Sequence, residues 1–232
     1  MRERSQIILR NHSAEISTLK LSPDKTLLAS GTGSVNQEGI AEILLWDLST
    51  PHFKLLKKLS FHHKGVQGLC FSPDSKLLFS LGVYTEANIV CWDIQSGTVL
   101  GCANLSHTMN DLICPPNSHS LMQHVILIGQ DRIFIYATTN RTLLLQNELI
   151  YEDKGKDGRF LFTAAALTQT DQPLLLLGTT EGSIVLFNLL NHQFIHEFPI
   201  FEDEITSIVC TKQVVIVGGA SNSIFRWNIE QK

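Results

Sequence analysis

The chain has 232 residues, 44% hydrophobic and 17% charged, with a formal net charge of −4. That length and composition fit a folded protein of one all-β domain or two small ones, and the charge excludes a global basic field for nucleic acid or anionic lipid. Five scattered cysteines (Cys70, Cys91, Cys102, Cys114 and Cys210) form no CxxC pair, which argues against a disulfide framework or a zinc knuckle.

No apolar run approaches the roughly 18 residues of a membrane span, so no membrane insertion is expected. The N-terminus, "MRERSQIILRNH", lacks the apolar core of a signal peptide. The sequence therefore reads as cytoplasmic or cytoskeletal.

The first predicted element is an isolated strand, "SQIILR", at 5–10. After it the chain repeats itself. "LSPDKTLLASG" at 21–31 matches "FSPDSKLLFSLG" at 71–82, and "ILLWDL" at 43–48 matches "IVCWDI" at 89–94. Weaker copies follow in "RIFIYAT", "SIVLFNL" and "SIFRWNI". The aromatic anchors Trp46, Trp92, Tyr136, Phe187 and Trp227 recur every 40 to 51 residues. So do the glycines that end an apolar strand: Gly31, Gly82, Gly129, Gly178 and Gly218.

Each period holds short runs rich in Val, Ile, Leu and Phe, bounded by Ser-Pro-Asp, Gly or Ser-Gly turns, and no helical pattern. Four short strands per period of this length is the signature of a β-propeller blade. Continuous apolar runs suit inner strands buried on both faces. The expectation is an all-β propeller over 1–232 with five four-stranded blades at 12–60, 62–105, 107–150, 158–200 and 202–229. The last blade ends after its third strand. Either the strand at 5–10 supplies the fourth and closes the ring, or the ring is incomplete.

These residues resemble the WD-repeat family, whose units carry a histidine before the first strand, a Ser or Thr on the second and Trp-Asp on the third. The resemblance implies a structural brace of His12, Ser30 and Trp46 in the first unit. It implies His63 (with His62 as the alternative), Ser80 and Trp92 in the second, and His107 in the third. The family's turn aspartate is missing from the first two units, and Asp131 is the best candidate in the third. The run from "ASG" through "AEILLWD" to "LSFHHKGVQGLCFSPDSKLLFSLG" is similar to ciliary and flagellar WD-repeat proteins of the doublet-microtubule lumen. It is also similar to echinoderm microtubule-associated protein-like proteins. This likeness implies a scaffold for protein–protein interaction, a structural component of ciliary or flagellar (axonemal) microtubules with tubulin or axonemal proteins as partners. The alternative is an adaptor subunit of a soluble ligase, trafficking or signalling complex.

The residues point to no catalytic, cofactor-binding or metal site. His62 and His63 are adjacent, so in a strand they face opposite ways, and no HExxH, GxSxG or phosphate-loop spacing occurs. Acids such as Glu42, Glu181 and Asp131 fall on turns, where solvation is the ordinary role. Cys91 reads as a small apolar filler. Two insertions, "TGSVNQEGIAE" and "VYTEAN", interrupt the turn between second and third strands. Insertions on one face of a repeat protein mark its binding face. Asn36, Gln37, Glu38, Tyr84 and Glu86 are therefore candidate protein contacts, with tolerated loop length without function as the alternative reading. Lys57 and Lys58, on the fourth strand of the first unit, are further candidates, with edge protection as the alternative role.

Overall fold

In the computed structural model, residues 7–115, 123–139, 142–151, 161–169 and 173–228 are described, and among them every regular element is a β-strand. Five sheets follow one another along the chain, each a meander of sequence neighbours. The first is β1(Ile16–Leu21), β2(Leu27–Thr32), β3(Glu42–Asp47) and β4(Lys54–Ser60); the second is β5(Val66–Phe71), β6(Leu77–Gly82), β7(Asn88–Asp93) and β8(Val99–Asn104). The third is β9(Met109–Ile113), β10(Gln123–Gly129), β11(Arg132–Thr139) and β12(Thr142–Ile150); the fourth is β13(Phe162–Leu167), β14(Leu174–Thr179), β15(Ser183–Asn188) and β16(Gln193–Pro199). The fifth has three strands: β17(Ile205–Cys210), β18(Val214–Gly219) and β19(Ile224–Asn228).

The expected strand at 5–10 is corrected: Ile7–Arg10 carry no strand, and Ser5 and Gln6 lie outside the described residues. The run has apolar residues but no turn to hold it in a hairpin, and a lone strand gains nothing without a ladder partner.

Local chemistry explains the repetition. In both Ser-Pro-Asp turns the serine hydroxyl donates to the aspartate (Ser22 to Asp24 and Ser72 to Asp74, each 2.6 Å). The same hydroxyl oxygen accepts the N–H that opens the next strand, Leu27 or Leu77, at 2.9 Å. Lys25 and Ser75 take the positive φ these turns need, 62° and 58°. The aspartate of each Trp-Asp pair works in the same way. Asp47 accepts the Ser49 N–H at 2.8 Å and Asp93 the Ser96 N–H at 2.6 Å, capping the turn into the fourth strand.

Packing divides the chain into two units, residues 1–106 with 138–143, and 107–137 with 144–232. In the first, Ala29, Ile43 and Leu45 pack against Val66, Leu69 and Phe71. In the second, Ile126, Ile133 and Ile135 meet Phe162, Leu175 and Leu177, and Leu176, Ile184 and Leu186 meet Ile205, Val215 and Val217. Central strands are buried nearly throughout because both of their faces are covered, as in β3, β7 and β15. β4 instead alternates exposed and covered residues, the pattern of an outer strand. Each fully buried Leu, Ile or Val contributes about 1.5–3 kcal/mol relative to exposure.

Candidate functional site

In the first sheet, His12 Nε2 lies 2.6 Å from Ser30 Oγ, and Trp46 Nε1 donates to the same oxygen at 2.9 Å. In the second, His62 Nε2 lies 2.8 Å from Ser80 Oγ, and Trp92 Nε1 donates to it at 2.8 Å. An indole N–H can only donate, so each serine oxygen accepts from tryptophan and has both its hydrogen and a second lone pair left to meet histidine. The direction of the serine–histidine bond follows the tautomer of the imidazole. Each brace ties a turn, a second strand and a third strand at one point.

The second histidine is His62, not His63. His62 is fully buried, whereas the His63 side chain is exposed. Adjacent residues diverge from the backbone, and the inward one meets Ser80. The third unit departs further, because β10 has no Ser or Thr to receive a histidine. His107 is exposed and lays its ring 5.6 Å from that of Phe134. Asp131 pairs with the Arg132 guanidinium at 2.7 and 3.0 Å.

A carboxylate completes the second brace. Glu86 Oε2 lies 3.5 Å from His62 Nδ1. Glu86 also accepts the backbone N–H of His63 at 3.0 Å and of Lys64 at 3.2 Å, and the Asn88 side-chain N–H at 3.2 Å. Burial pushes the Glu86 carboxyl up, but the His63 amide, His62, Asn88 and the Lys64 amide outweigh it and hold it below the ordinary glutamate value. Burial lowers His62 in spite of Glu86. Glu86 is therefore a brace residue rather than a free contact.

Glu42 plays the corresponding part in the first sheet. It opens β3 as a buried residue, not on a solvated turn, and accepts from Lys58 Nζ at 2.5 Å and Asn36 Nδ2 at 2.9 Å. Burial raises its pKa, yet Lys58 and Asn36 carry it below the ordinary value. Burial lowers His12, with Glu42 opposing. The Asn36 Oδ1 accepts the N–H of Glu38 at 2.9 Å and of Ile40 at 3.1 Å, so Asn36 fastens the first loop from within. Lys57 reaches Ser96 O at 3.4 Å. Of the seven contact candidates, Gln37, Glu38 and Tyr84 stand at the surface with side chains outside these ties, and Tyr84 is 70% exposed.

The two loops meet at Gly65. A Cβ there would lie 2.3 Å from Gly33 O and 3.0 Å from Val83 Cγ1, and Val83 N–H donates to Gly65 O at 3.0 Å. Cys91, on the far face of β7 from Trp92, is buried; burial, with Asp93 adding to it, pushes its thiol up to about 12. It is a filler, not a nucleophile.

Residues 3–36 and 53–93 match the family described as WD domain, G-beta repeat. Those two stretches are similar to WD repeats. WD repeat-containing protein 90 of Mus musculus is 25% identical over 222 residues, which are 94% of this chain and 11% of that protein. Cilia- and flagella-associated protein 52 of Chlamydomonas reinhardtii is 27% identical over 228 residues, 95% of this chain and 35% of that protein. The chain thus spans 11% and 35% of the length of these two relatives. Among solved structures, the β-propeller domain of Myceliophteria thermophila Cps50 (Swd1) superposes with a TM-score of 0.77 at 19% identity, covering 95% of this chain and 67% of that one. The fold of the chain is that of a β-propeller.

Sequence reasoning missed the roles of Glu86 and Glu42 and the turn-capping work of Asp47 and Asp93. The Trp-Asp motif itself marked the last two. A glutamate inside an inserted loop has no fixed spacing from the histidine it serves, so Glu86 had no such marker.

Proposed function

We propose that the chain is a non-catalytic scaffold of cilia or flagella, a structural component of axonemal microtubules that holds axonemal proteins through its two braced loops. The carrying observation is the preorganised loop pair: the buried Glu42 and the partly buried Glu86 fix both bases, leaving Gln37, Glu38 and Tyr84 displayed on that support. A tyrosine so held loses little freedom on binding, which suits an interface anchor. The names of the relatives, cilia- and flagella-associated protein 52 among them, support the setting. Alignment of 95% of the chain with one propeller domain supports reading 1–232 as a single propeller.

Proximity labelling from the tagged chain in ciliated cells tests the reading. Axonemal neighbours are expected, and their loss in Tyr84→Ala. Labelling spread evenly over soluble complexes, the same in non-ciliated cells, overturns it.

A further inference from the structure

The strand β4 ends in Lys57-Lys58-Leu59-Ser60. Ser60 alone among the serines and threonines of the sequence has a lysine or arginine both two and three residues before it. It is exposed, and its hydroxyl holds no hydrogen bond among the described residues. β4 is the last strand of its sheet and pairs with β3 on one side only, so this stretch is presented as an extended chain. The exposure belongs to the position. Asn104 and Pro199, which end the fourth strands of the second and fourth sheets, are exposed as well, although each of those sheets follows another sheet in its own unit.

Across the ladder Ser60 faces Glu42. In the second sheet the same place sets Asn88 opposite Asn104, and in the fourth Ser183 opposite Pro199. Of these three sheets only the first therefore has a carboxylate there. Directly opposed residues hold their Cβ atoms about 4.5–5.5 Å apart. Lys58 lies two residues before Ser60 and so on the same face of the strand. It is also the cation of Glu42, at 2.5 Å, with its own side chain 49% exposed and that of Glu42 3%.

We infer that Ser60 is the acceptor of a basophilic serine/threonine kinase, and that its phosphorylation unfastens the first loop. Such kinases read cations two and three residues before the hydroxyl, in an extended substrate, through acidic side chains beside the cleft. Ser60 Oγ attacks the γ-phosphorus of ATP, the bond from that phosphorus to the β,γ-bridging oxygen breaks, ADP leaves, and the hydroxyl proton passes to the kinase's base. The new group carries about −1.5 to −2 charge. It stands opposite a buried carboxylate and within reach of that carboxylate's cation. Like charges directly opposed destabilise, so Lys58 turns to the phosphate and Glu42 loses its ion pair. Asn36, which Glu42 holds, loses its anchor, and with it goes the acceptor of the Glu38 and Ile40 amides. Weaker partner binding through Gln37 and Glu38 follows, a consequence that rests on the scaffold reading above. Phosphorylation and loop release are measured on the purified chain without partners, so either can fail without the other.

The test incubates the native 232-residue chain with magnesium ATP and the catalytic subunit of cyclic-AMP-dependent protein kinase. Tandem mass spectrometry should place one phosphoryl group on Ser60, and Ser60→Ala should lose it. Lys57→Gln, a change away from the Glu42 pair, should slow incorporation about tenfold. In the phosphorylated chain the amides of residues 36–42 should exchange with deuterium about tenfold faster than in the unmodified chain. In Glu42→Gln, phosphorylation should add nothing to that exchange. An unmodified Ser60, or one modified only after urea unfolds the chain, overturns the site. A phosphorylated Ser60 with the exchange of residues 36–42 unchanged overturns the release.

Discussion

Ser80 Oγ sits 2.8 Å from both Trp92 Nε1 and His62 Nε2, inside a region where all three side chains are buried. One hydroxyl therefore satisfies two polar groups that have no access to water. Ser80→Ala strands both and is expected to cost about 1–3 kcal/mol. Ser30→Ala should cost less, because His12 is only partly covered and water can replace the lost partner. Urea midpoints of the two variants check the order. In a double-mutant cycle, Ser80→Ala with Trp92→Phe should be clearly non-additive, and additivity would remove the brace as a unit.

Acid should weaken the protein in two steps. His62 and His12 are lowered by burial, so the unfolded chain binds their protons first. Their contribution is complete above the ordinary histidine pKa of 6.5 and drains away as pH falls from there toward the folded value. Glu86 and Glu42 are also lowered, and their contribution is lost only below the ordinary 4.5. Melting temperature measured from pH 7.5 down should fall first below about 6.5, and His62→Gln should flatten that first step while sparing the second. An unchanged slope in that variant would mean His62 is not among the groups responsible.

Glu86 holds the second loop to the His62–Gly65 turn through the amides of His63 and Lys64. In Glu86→Ala those two amides should exchange with deuterium much faster, at a stability cost of about 1.5–3 kcal/mol for the charged hydrogen bonds. Glu86→Asp, one methylene shorter, should give an intermediate result. Hydrogen–deuterium exchange of the 60–70 peptide reads all three proteins.

The cysteines should separate by burial. Cys102 is exposed, and Cys70 and Cys91 are buried. Iodoacetamide on the native chain should modify Cys102, leaving Cys91 intact until denaturant is added. Mass spectrometry of the native digest gives the answer directly.

Tyr84→Ala should leave stability within about 0.5 kcal/mol, since the side chain is exposed, while, on the proposed scaffold role, lowering labelling of partner proteins. A loss of folding in this variant would place Tyr84 in the core machinery instead. Circular dichroism melts and the labelling experiment separate the two outcomes.

Much of the architecture was legible because it rests on repetition. Trp46, Trp92, Tyr136, Phe187 and Trp227 mark the third strands, and Ser22 and Ser72 mark the turns before the second. What the sequence hid depends on contacts across space. His62 and His63 are indistinguishable by composition, and the turn containing them has no period to say which points inward. Glu86 lies more than 20 residues from His62, in a loop of irregular length. The three-stranded fifth sheet was visible as an unfinished repeat, but the unpaired state of Ile7–Arg10 was not, because an apolar run names no ladder partner.

The seam at Gly65 has a consequence for how such chains diverge. With the Gly33 carbonyl 2.3 Å from where a side chain would start, position 65 is closed to every residue but glycine unless the loops part. The tips at Gln37, Glu38 and Tyr84 carry no such constraint. Lengthening a loop beyond a fixed base costs little, about 0.6 kcal/mol per doubling of its length. Natural variation should therefore leave the seam unaltered and accumulate at the tips, so that one unchanging frame can be fitted with new contacts in different lineages.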